Sequence, residues 1–461
     1  MKSVLLCLSV TAGLVPALAA SVPDLPKYVE VATTNNYGLE KITSVLVVEG
    51  DNIHHDKAKD VCKDQNESLA SYDPSDPHGI HIAVHRFNDS RTQYWVKDPS
   101  TKPTYQKPGK PKTCTAFTTE GHTPRYIEVA CSKNLPVICT NSAPPTTPDS
   151  WWNSKMKPLV RVSSPAGTFI GSRDNMSFRF ISIPFAKPPT GKLRFALPVA
   201  KERLDNYNAL KLGPRCHLRG FQNVPADNYA EDCLSLHVFT PRVGKNLKGK
   251  ALPVYVDIHG GGMTAGGNDY IGSAQTGTFA TRNNMVVVTP QYRMGMLGVF
   301  EETTTYDRKT LPGNQHIHDM ILALKWIQKN IASFGGDPTR VVLGGQSSGG
   351  WSVRALISSP LAEGLFHRAI IRGDGQIPIL PPSKSAQIGK AFMEKAGCKT
   401  LDCMRKAPFE RLLKAQDEVP AATGLPYHLA TMDGTAVPDQ FYKLLTAGRF
   451  NRVPLIIGKF V

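Results

Sequence analysis

The stretch that decides the fold is residues 334–350, FGGDPTRVVLGGQSSGG. Its apolar run at 341–343 has the character of a buried strand and leads directly into GQSSG at 345–349. A G-x-S-x-G motif between a strand and a helix predicts a sharp turn that exposes the central serine, Ser347. The two glycines permit the turn because they carry no Cβ atom. Three fixed small residues also recur by chance, so the surrounding sequence has to decide.

Residues 151–461 alternate between strand-like and helix-like segments. Mostly apolar runs at 251–258, 285–288, 369–372 and 453–457 predict strands. Residues 314–330 carry apolar side chains three and four positions apart, which is the spacing of an amphipathic helix. This alternation predicts the α/β class, with a mostly parallel sheet between helices.

A second motif, HGGG at 259–262, follows the predicted strand 251–258. A serine nucleophile needs a base to accept its proton and donors to hold the oxyanion that forms. Glycines after a buried strand let backbone N–H groups point into a cleft, as in lipases and esterases. A flexible turn is the alternative. The position upstream of G-x-S-x-G favours an oxyanion site.

These motifs resemble those of the type B carboxylesterases, which include cholinesterases and fungal lipases of the α/β-hydrolase fold. Residues 334–350 fit the serine signature of that family, and EDCLSLHVFTP at 231–241 resembles its second signature. Ser235 and His237 replace the usual tyrosine and asparagine there. Further similar segments are IPFAKPPTGKLRF at 183–195 and GLF at 364–366. The resemblance covers residues 155–461.

The resemblance implies a carboxylic ester hydrolase with a small-molecule or lipid ester as substrate and no cofactor or metal. It makes Ser347 the nucleophile and gives the oxyanion N–H groups to Gly261, Gly262 and Ser348. Gln346 stands where the family has an acid. Ser348 replaces the usual alanine, which is harmless if only its backbone N–H is used. The implied disulfides are Cys216–Cys233 and Cys398–Cys403.

In the family the nucleophilic serine acts with an acid and a histidine as a catalytic triad, and these two residues have no match here. In the family the acid follows the strand that here reads VPLIIG, and the histidine lies far beyond it. The chain ends at Val461, so we expect an incomplete copy with feeble activity. His367 and His428 follow the nucleophile but match no catalytic position. His259 is expected to pack the oxyanion loop, and His316 and His318 to start an exposed helix.

The N-terminal residues predict export. Residues 1–20 have a basic start at Lys2, an apolar run at 4–15 and the small-residue end Ala-Leu-Ala, which is typical of a signal peptide. No other segment has the 18 consecutive apolar residues of a membrane span. A secreted protein is therefore expected.

The length and composition bound the class of protein. With 461 residues and 41% hydrophobic residues, the chain is long and apolar enough for two or three globular domains. The formal charge of +16 would suggest nucleic acid in an intracellular protein. In a secreted chain with scattered Lys and Arg we expect no nucleic-acid partner. A solvated surface is favoured, and attraction to anionic glycans or cell-wall polymers is the alternative.

Eight cysteines remain after Cys7 leaves with the signal peptide, and an even number in an oxidising compartment predicts four disulfides. Metal ligation is disfavoured because no C-x-x-C pair occurs. Three N-x-S/T triplets, at Asn66, Asn88 and Asn175, predict glycosylation sites.

Residues 21–140 predict a first, separate domain, and the Pro-, Thr- and Ser-rich residues 141–150 predict a linker to a second domain at 151–461. A predicted helix at 58–69, a strand at 92–96 and two strands within 126–140 resemble a small α+β C-type lectin-like domain. That resemblance implies the disulfides Cys62–Cys139 and Cys114–Cys131.

The calcium-binding loops of the lectin family are replaced here by YQKPGKPK at 105–112 and YIE at 126–128. Calcium requires oxygen ligands, and a loop of lysines and prolines offers few. We expect no metal, and a scaffold or protein-binding role is favoured over glycan capture.

A secreted ester hydrolase is the leading hypothesis for the whole protein, and an inactive binding or adhesion protein is the alternative. A first domain that tethers the esterase to a polymer is a weaker third.

Overall fold

The computed structural model describes residues 26, 28–33, 44–73, 92–99, 112–120, 124–144, 158–216, 229–245, 247, 251–269, 277–374 and 377–458. The predicted signal peptide at 1–20, the triplet at Asn88 and residues 145–150 of the predicted linker lie outside these residues.

The described strands and helices follow each other along the chain from Tyr28 to Gly458. The strands are β1 (Tyr28–Thr33), β2 (Ser44–Glu49), β3 (Gln93–Trp95), β4 (Thr113–Thr118), β5 (Arg125–Ala130), β6 (Val137–Thr140), β7 (Leu159–Ser164), β8 (Gly167–Arg173), β9 (Phe178–Pro184), β10 (Leu204–Asn208), β11 (Ser235–Thr240), β12 (Arg242–Val243), β13 (Leu252–Ile258), β14 (Val286–Pro290), β15 (Gly336–Gln346), β16 (Arg368–Arg372) and β17 (Leu455–Gly458). The helices are α1 (His55–Asp64), α2 (Gly277–Arg282), α3 (Met296–Val299), α4 (Gln315–Asn330), α5 (Ser348–Ser358), α6 (Pro382–Lys395), α7 (Leu401–Lys406), α8 (Phe409–Thr423) and α9 (Phe441–Thr446). Short 3₁₀ turns occupy Gly191–Leu193, Ile331–Phe334 and Pro360–Ala362.

The larger sheet has the strand order β10-β8-β9-β11-β14-β13-β15-β16-β17, with β7 added on β8. Strands β14, β13, β15, β16 and β17 run parallel to one another, whereas β9 and β11 run antiparallel to their neighbours. The central strands are buried almost throughout, because a parallel sheet is covered on both faces. The predicted α/β class is confirmed.

Register places the two sequence motifs at one edge of this sheet. Ile258, the last residue of β13, lies opposite Gly345 of β15. The HGGG run begins one residue after β13, and Ser347 comes one residue after β15. Since β13 and β15 are parallel neighbours, their carboxyl ends bring both motifs together.

The smaller sheet has the order β12-β1-β2-β6-β3-β4-β5. Strand β12 belongs to the predicted second domain, yet it pairs with β1 through Val29 opposite Val243 and Glu30 opposite Arg242. The lectin-like region and the larger domain therefore share one sheet. The division at residues 141–150 remains a prediction about the sequence.

Two buried ion pairs reinforce this shared region. The Arg173 guanidinium of β8 lies 2.7 Å from the Glu67 carboxylate, with both side chains buried. The Arg242 guanidinium of β12 lies 2.5 Å from the Glu30 carboxylate of β1. A buried charge that loses its partner is costly, so these pairs hold the two regions in one arrangement.

The four disulfides pair as the two resemblances imply. They join Cys62 to Cys139, Cys114 to Cys131, Cys216 to Cys233 and Cys398 to Cys403. Among the predicted glycosylation positions, Asn66 is exposed and Asn175 is half-buried. No helix in the described part of the chain is long and apolar enough to cross a membrane.

Candidate active site

Ser347 occupies a strained turn between β15 and α5. Its φ of 56° and ψ of −125° lie outside the regions that residues with a side chain normally adopt. Such a conformation costs roughly 1–3 kcal/mol and persists only where the surroundings impose it. Here the Ser347 amide donates to the Arg372 carbonyl at the end of β16, 2.9 Å away, and the Trp351 amide donates to the Ser347 carbonyl. The predicted elbow geometry is present.

Close backbone packing explains both glycines of the motif. A Cβ atom on Gly345 would lie 2.3 Å from the Gly349 carbonyl oxygen. One on Gly349 would lie 2.1 Å from the Ile258 carbonyl oxygen, where β13 ends. Both distances are far below van der Waals contact, so only glycine lets the elbow pack on the end of β13.

The HGGG run lies beside the elbow. A Cβ atom on Gly260 would lie 3.1 Å from the Cβ atom of Ser347. Gly261 and Gly262 have φ values of 117° and 65°, which glycine adopts readily. Within the described residues, neither of these two amides donates a hydrogen bond. Together with the Ser348 amide, which as the first residue of α5 has no partner inside its helix, they form a set of available donors.

A second loop, Gln291–Gly295, follows β14 and packs against the HGGG run, which is called the glycine loop below. The Gln291 side chain lies 3.1 Å from His259 Nε2, and the Tyr292 ring stacks on the His259 ring at 4.4 Å. The Gly295 amide donates to the Met263 carbonyl, 2.8 Å away.

Arg293 anchors this supporting loop to helix α4. Its guanidinium donates to both Asp319 oxygens at 2.9 and 2.7 Å, and both side chains are buried. Sequence reasoning assigned no role to this loop, although the stretch TPQYRMGMLG follows a predicted strand. An arginine and a tyrosine directly after a buried strand were the available signal.

The histidines do not assemble beside Ser347. No described side chain makes a hydrogen bond with the Ser347 hydroxyl. His367 directly precedes β16, and its Nδ1 accepts from the Val341 amide at 3.2 Å. It therefore lies at the amino end of the five-residue strand β16. The elbow lies beside the carboxyl end of that strand, roughly 16 Å away. His428 lies between α8 and α9, with its ring edge-on to the Tyr427 ring.

The expectation of an exposed helix start is wrong for His316. It is buried in the first turn of α4, where its Nδ1 lies 2.8 Å from the Gly298 carbonyl and its ring stacks on Trp351. His318 is half-buried. The helix start is buried because the Asn314 side chain donates to the Thr431 carbonyl and the Gln315 side chain donates to the carbonyls of Phe195 and Phe300. His259 is buried at the start of the HGGG run, where its ring contacts the Gly260 carbonyl and the Gln291 side chain.

Burial lowers the pKa of His259 and of His316 to about 4, since neither ring can be charged without loss of solvation. Unfolding restores an ordinary pKa near 6.5. Between pH 4 and 6.5 the unfolded chain therefore binds more protons than the folded chain, and stability falls as the pH falls.

Each of these histidines is expected to make the free energy of unfolding about 2 kcal/mol lower at pH 5 than at pH 7. Urea denaturation at both pH values measures this loss. The His316→Phe variant should reduce the difference between the two pH values by about one histidine's share. An unchanged pH difference in the variant would contradict the assignment.

Comparison with known proteins identifies the family of this chain. A model of the family described as "Carboxylesterase family" matches residues 157–460. The chain belongs to the carboxylesterase family. Carboxylesterase 1F of Mus musculus is 34% identical over 355 residues, which are 70% of this chain and 60% of that protein. Cocaine esterase of Homo sapiens is 36% identical over 299 residues, 60% of this chain and 51% of that protein.

Solved structures agree at the level of the fold. A thermophilic pNB esterase superposes with a TM-score of 0.59 at 30% identity, over 65% of this chain and 62% of that chain. A carboxylesterase of Geobacillus stearothermophilus gives a TM-score of 0.57 at 30% identity, with 65% and 62% covered. This carboxylesterase-family chain spans about three fifths of the length of the first curated relatives it matches.

Proposed function

We propose that this protein is a secreted carboxylic ester hydrolase that forms an acyl-enzyme on Ser347. The observation that carries the proposal is the approach of the HGGG loop to the strained elbow, at the carboxyl ends of β13 and β15. The amides of Gly261, Gly262 and Ser348 would hold the oxyanion as the Ser347 oxygen attacks an ester carbonyl. Each such donor contributes about 2.7–4 kcal/mol to the transition state in a serine hydrolase.

The attacking hydroxyl must lose its proton. No described histidine is hydrogen-bonded to Ser347, so the site formed by the described residues holds the oxyanion donors without a base. The family resemblance puts the acid after β17 and the histidine farther on. Loss of triad members costs about 10⁶ in kcat in subtilisin. A base from outside the described residues is therefore required for full turnover.

The substrate class is the one that the carboxylesterase family implies, and the chemistry of the site is compatible with it. A hydroxyl nucleophile with neutral oxyanion donors suits an uncharged carbonyl carbon, as in a small-molecule or lipid ester. The donors stabilise charge that develops only during attack, so they favour the transition state over the bound ester.

Hydrolysis of short-chain p-nitrophenyl esters tests the proposal. The expressed chain should release p-nitrophenol faster than its Ser347→Ala variant, with both proteins equally folded by circular dichroism. Mass spectrometry after rapid acid quench should find the acyl group on the peptide that contains Ser347. Equal rates and no acylated peptide would remove the esterase proposal.

An inactive binding or adhesion protein is the second candidate, favoured by the lack of a described base at Ser347 and by the lectin-like region that shares a sheet with the larger domain. The residues Arg372-Gly373-Asp374 spell a tripeptide associated with cell adhesion, but their charges are paired within the fold. The Arg372 guanidinium pairs with Asp257 at 2.5 Å, and Asp374 pairs with Arg354 at 3.1 Å. Both charges are engaged inside this fold.

A further inference from the structure

A cavity of about 510 Å³ lies beside the larger sheet, away from the candidate active site. It is lined by residues of β7, of the segment that follows β12 and of the 3₁₀ turn Ile331–Phe334. That turn leads into β15, whose first residue, Gly336, lies opposite Leu252 at the amino end of β13. The cavity therefore lies near the amino ends of these strands, whereas the elbow follows the carboxyl end of β15.

Hydrogen bonds fix the walls of this cavity. The Asn330 side chain, buried at the end of α4, accepts from the Ser164 hydroxyl at 3.1 Å and from the Ala166 amide at 2.8 Å. These bonds tie the end of β7 to the start of the 3₁₀ turn. The backbone amide of Lys245 donates to the Pro26 carbonyl at 3.1 Å, which holds the third wall. The cavity is therefore formed before any ligand arrives, as is usual for small-molecule sites.

The charge that lines the cavity is positive. Side chains alternate along β7, so Val160 is buried in the core and the next residue, Arg161, extends from the other face and lines the cavity. Lys245 lines it as well, and none of the described residues around it is acidic. The sequence KNLKGK at 245–250 contains three lysines, and no Asp or Glu occurs between residues 233 and 256. The cavity is therefore suited to an anion.

The half-buried Arg161 guanidinium lacks a partner in the described part of the chain. Its Nε atom is buried without a hydrogen bond, and no described carboxylate forms an ion pair with it. Removal of a cation from water without a counter-charge is costly, and an oxyanion would supply both the charge and the acceptors. The planar guanidinium donates two parallel hydrogen bonds to such a group, which gives the contact a defined geometry.

We propose that this cavity binds the oxyanion group of a sulfated or phosphorylated small molecule, with Arg161 as the principal contact. A tetrahedral oxyanion has enough acceptor oxygens for the guanidinium and for the hydroxyl of Ser333, while Lys245 adds positive charge. The volume falls within the roughly 300–1,000 Å³ of small-molecule sites, so the cavity has room for a sugar-sized body beside Leu247. The formal charge of +16 raises the local concentration of anions. This binding is separate from the esterase activity proposed above.

The test measures binding of N-acetylglucosamine 6-sulfate and N-acetylglucosamine 6-phosphate to the full chain, by isothermal titration calorimetry at low salt. Uncharged N-acetylglucosamine is the control ligand. Arg161→Gln removes the charge and the fork of donors, whereas Arg161→Lys keeps the charge alone. The control variant is Arg203→Gln, because Arg203 donates to the Ser164 carbonyl at the end of β7 but is exposed and pairs with Asp205 at 3.1 Å.

The better of the two charged sugars should bind at least about tenfold more tightly than the uncharged sugar, and it identifies the oxyanion that the cavity prefers. Arg161→Gln should weaken this binding about tenfold or more, Arg161→Lys about threefold, and Arg203→Gln less than about twofold. Because Arg161 has no described partner, Arg161→Gln should unfold at the same urea concentration as wild type, so a loss of binding is separable from a loss of folding. Equal affinity for charged and uncharged sugars, wild-type affinity in Arg161→Gln, or an equal loss in Arg203→Gln would overturn the site.

Discussion

Replacement of Asp319 by alanine is expected to lower the free energy of unfolding by about 3–5 kcal/mol. The Asp319 carboxylate accepts the Arg293 guanidinium at both oxygens and also the Arg293 amide at 3.0 Å. Both side chains are buried, so the variant leaves a guanidinium without a counter-charge inside the protein. Urea denaturation at pH 7 measures the loss.

The control for this prediction is Asp402→Ala. Asp402 pairs with Lys406 at 2.7 Å on α7, but both side chains are more than two thirds exposed. Exposed pairs contribute about 0–1 kcal/mol, so this variant should stay close to wild type. Equal losses in the two variants would show that burial of the Arg293–Asp319 pair is unimportant for stability. Loss in Asp319→Ala alone would also link stability to the loop that supports the candidate site.

The second large effect is expected from Gly349→Ala. Its new Cβ atom would lie 2.1 Å from the Ile258 carbonyl oxygen and 2.8 Å from that of His259. Both atoms are backbone, which cannot rotate away, so the elbow and the glycine loop must separate. A displacement of about 1 Å in a catalytic site can cost 10²-fold in rate. We expect Ser347 to react at least about 100-fold more slowly with a fluorophosphonate probe.

Gly350→Ala is the matched control, one residue along the same helix. Its Cβ atom would lie 3.2 Å from the nearest atom, the Arg372 carbonyl oxygen, which requires only a small shift. Helix propensity changes equally in both variants. Probe labelling followed by peptide mapping measures both rates. Similar labelling of Gly349→Ala and wild type would mean that the elbow tolerates separation from β13.

Local sequence patterns predicted much of the architecture. The spacing at 314–330 predicts α4, which occupies Gln315–Asn330, and the apolar runs predict the positions of β13, β14, β16 and β17. These predictions hold because an amphipathic helix or a buried strand requires apolar residues at fixed, nearby positions in the sequence. Strand β15 begins earlier than the run 341–343, at Gly336, since pairing with β13 extends it.

Contacts between distant segments have no such local pattern in the sequence. The burial of His316 depends on the packing of α4 against Trp351, and the supporting loop depends on Arg293 meeting a helix 26 residues away. The shared sheet depends on β12 pairing with β1. None of these partners can be found from residue spacing alone, because each depends on which strand ends and helix faces meet.

The sequence by itself determined the α/β class, the elbow with its glycines and the resemblance to carboxylesterases, because backbone conformation and burial constrain residue types locally. Only the tertiary structure decided that the loop Gln291–Gly295 packs against the HGGG run, and that no described histidine is hydrogen-bonded to Ser347. The physical reason is that these contacts join atoms from separate segments, and their meeting is set by the parallel register of β13, β14 and β15.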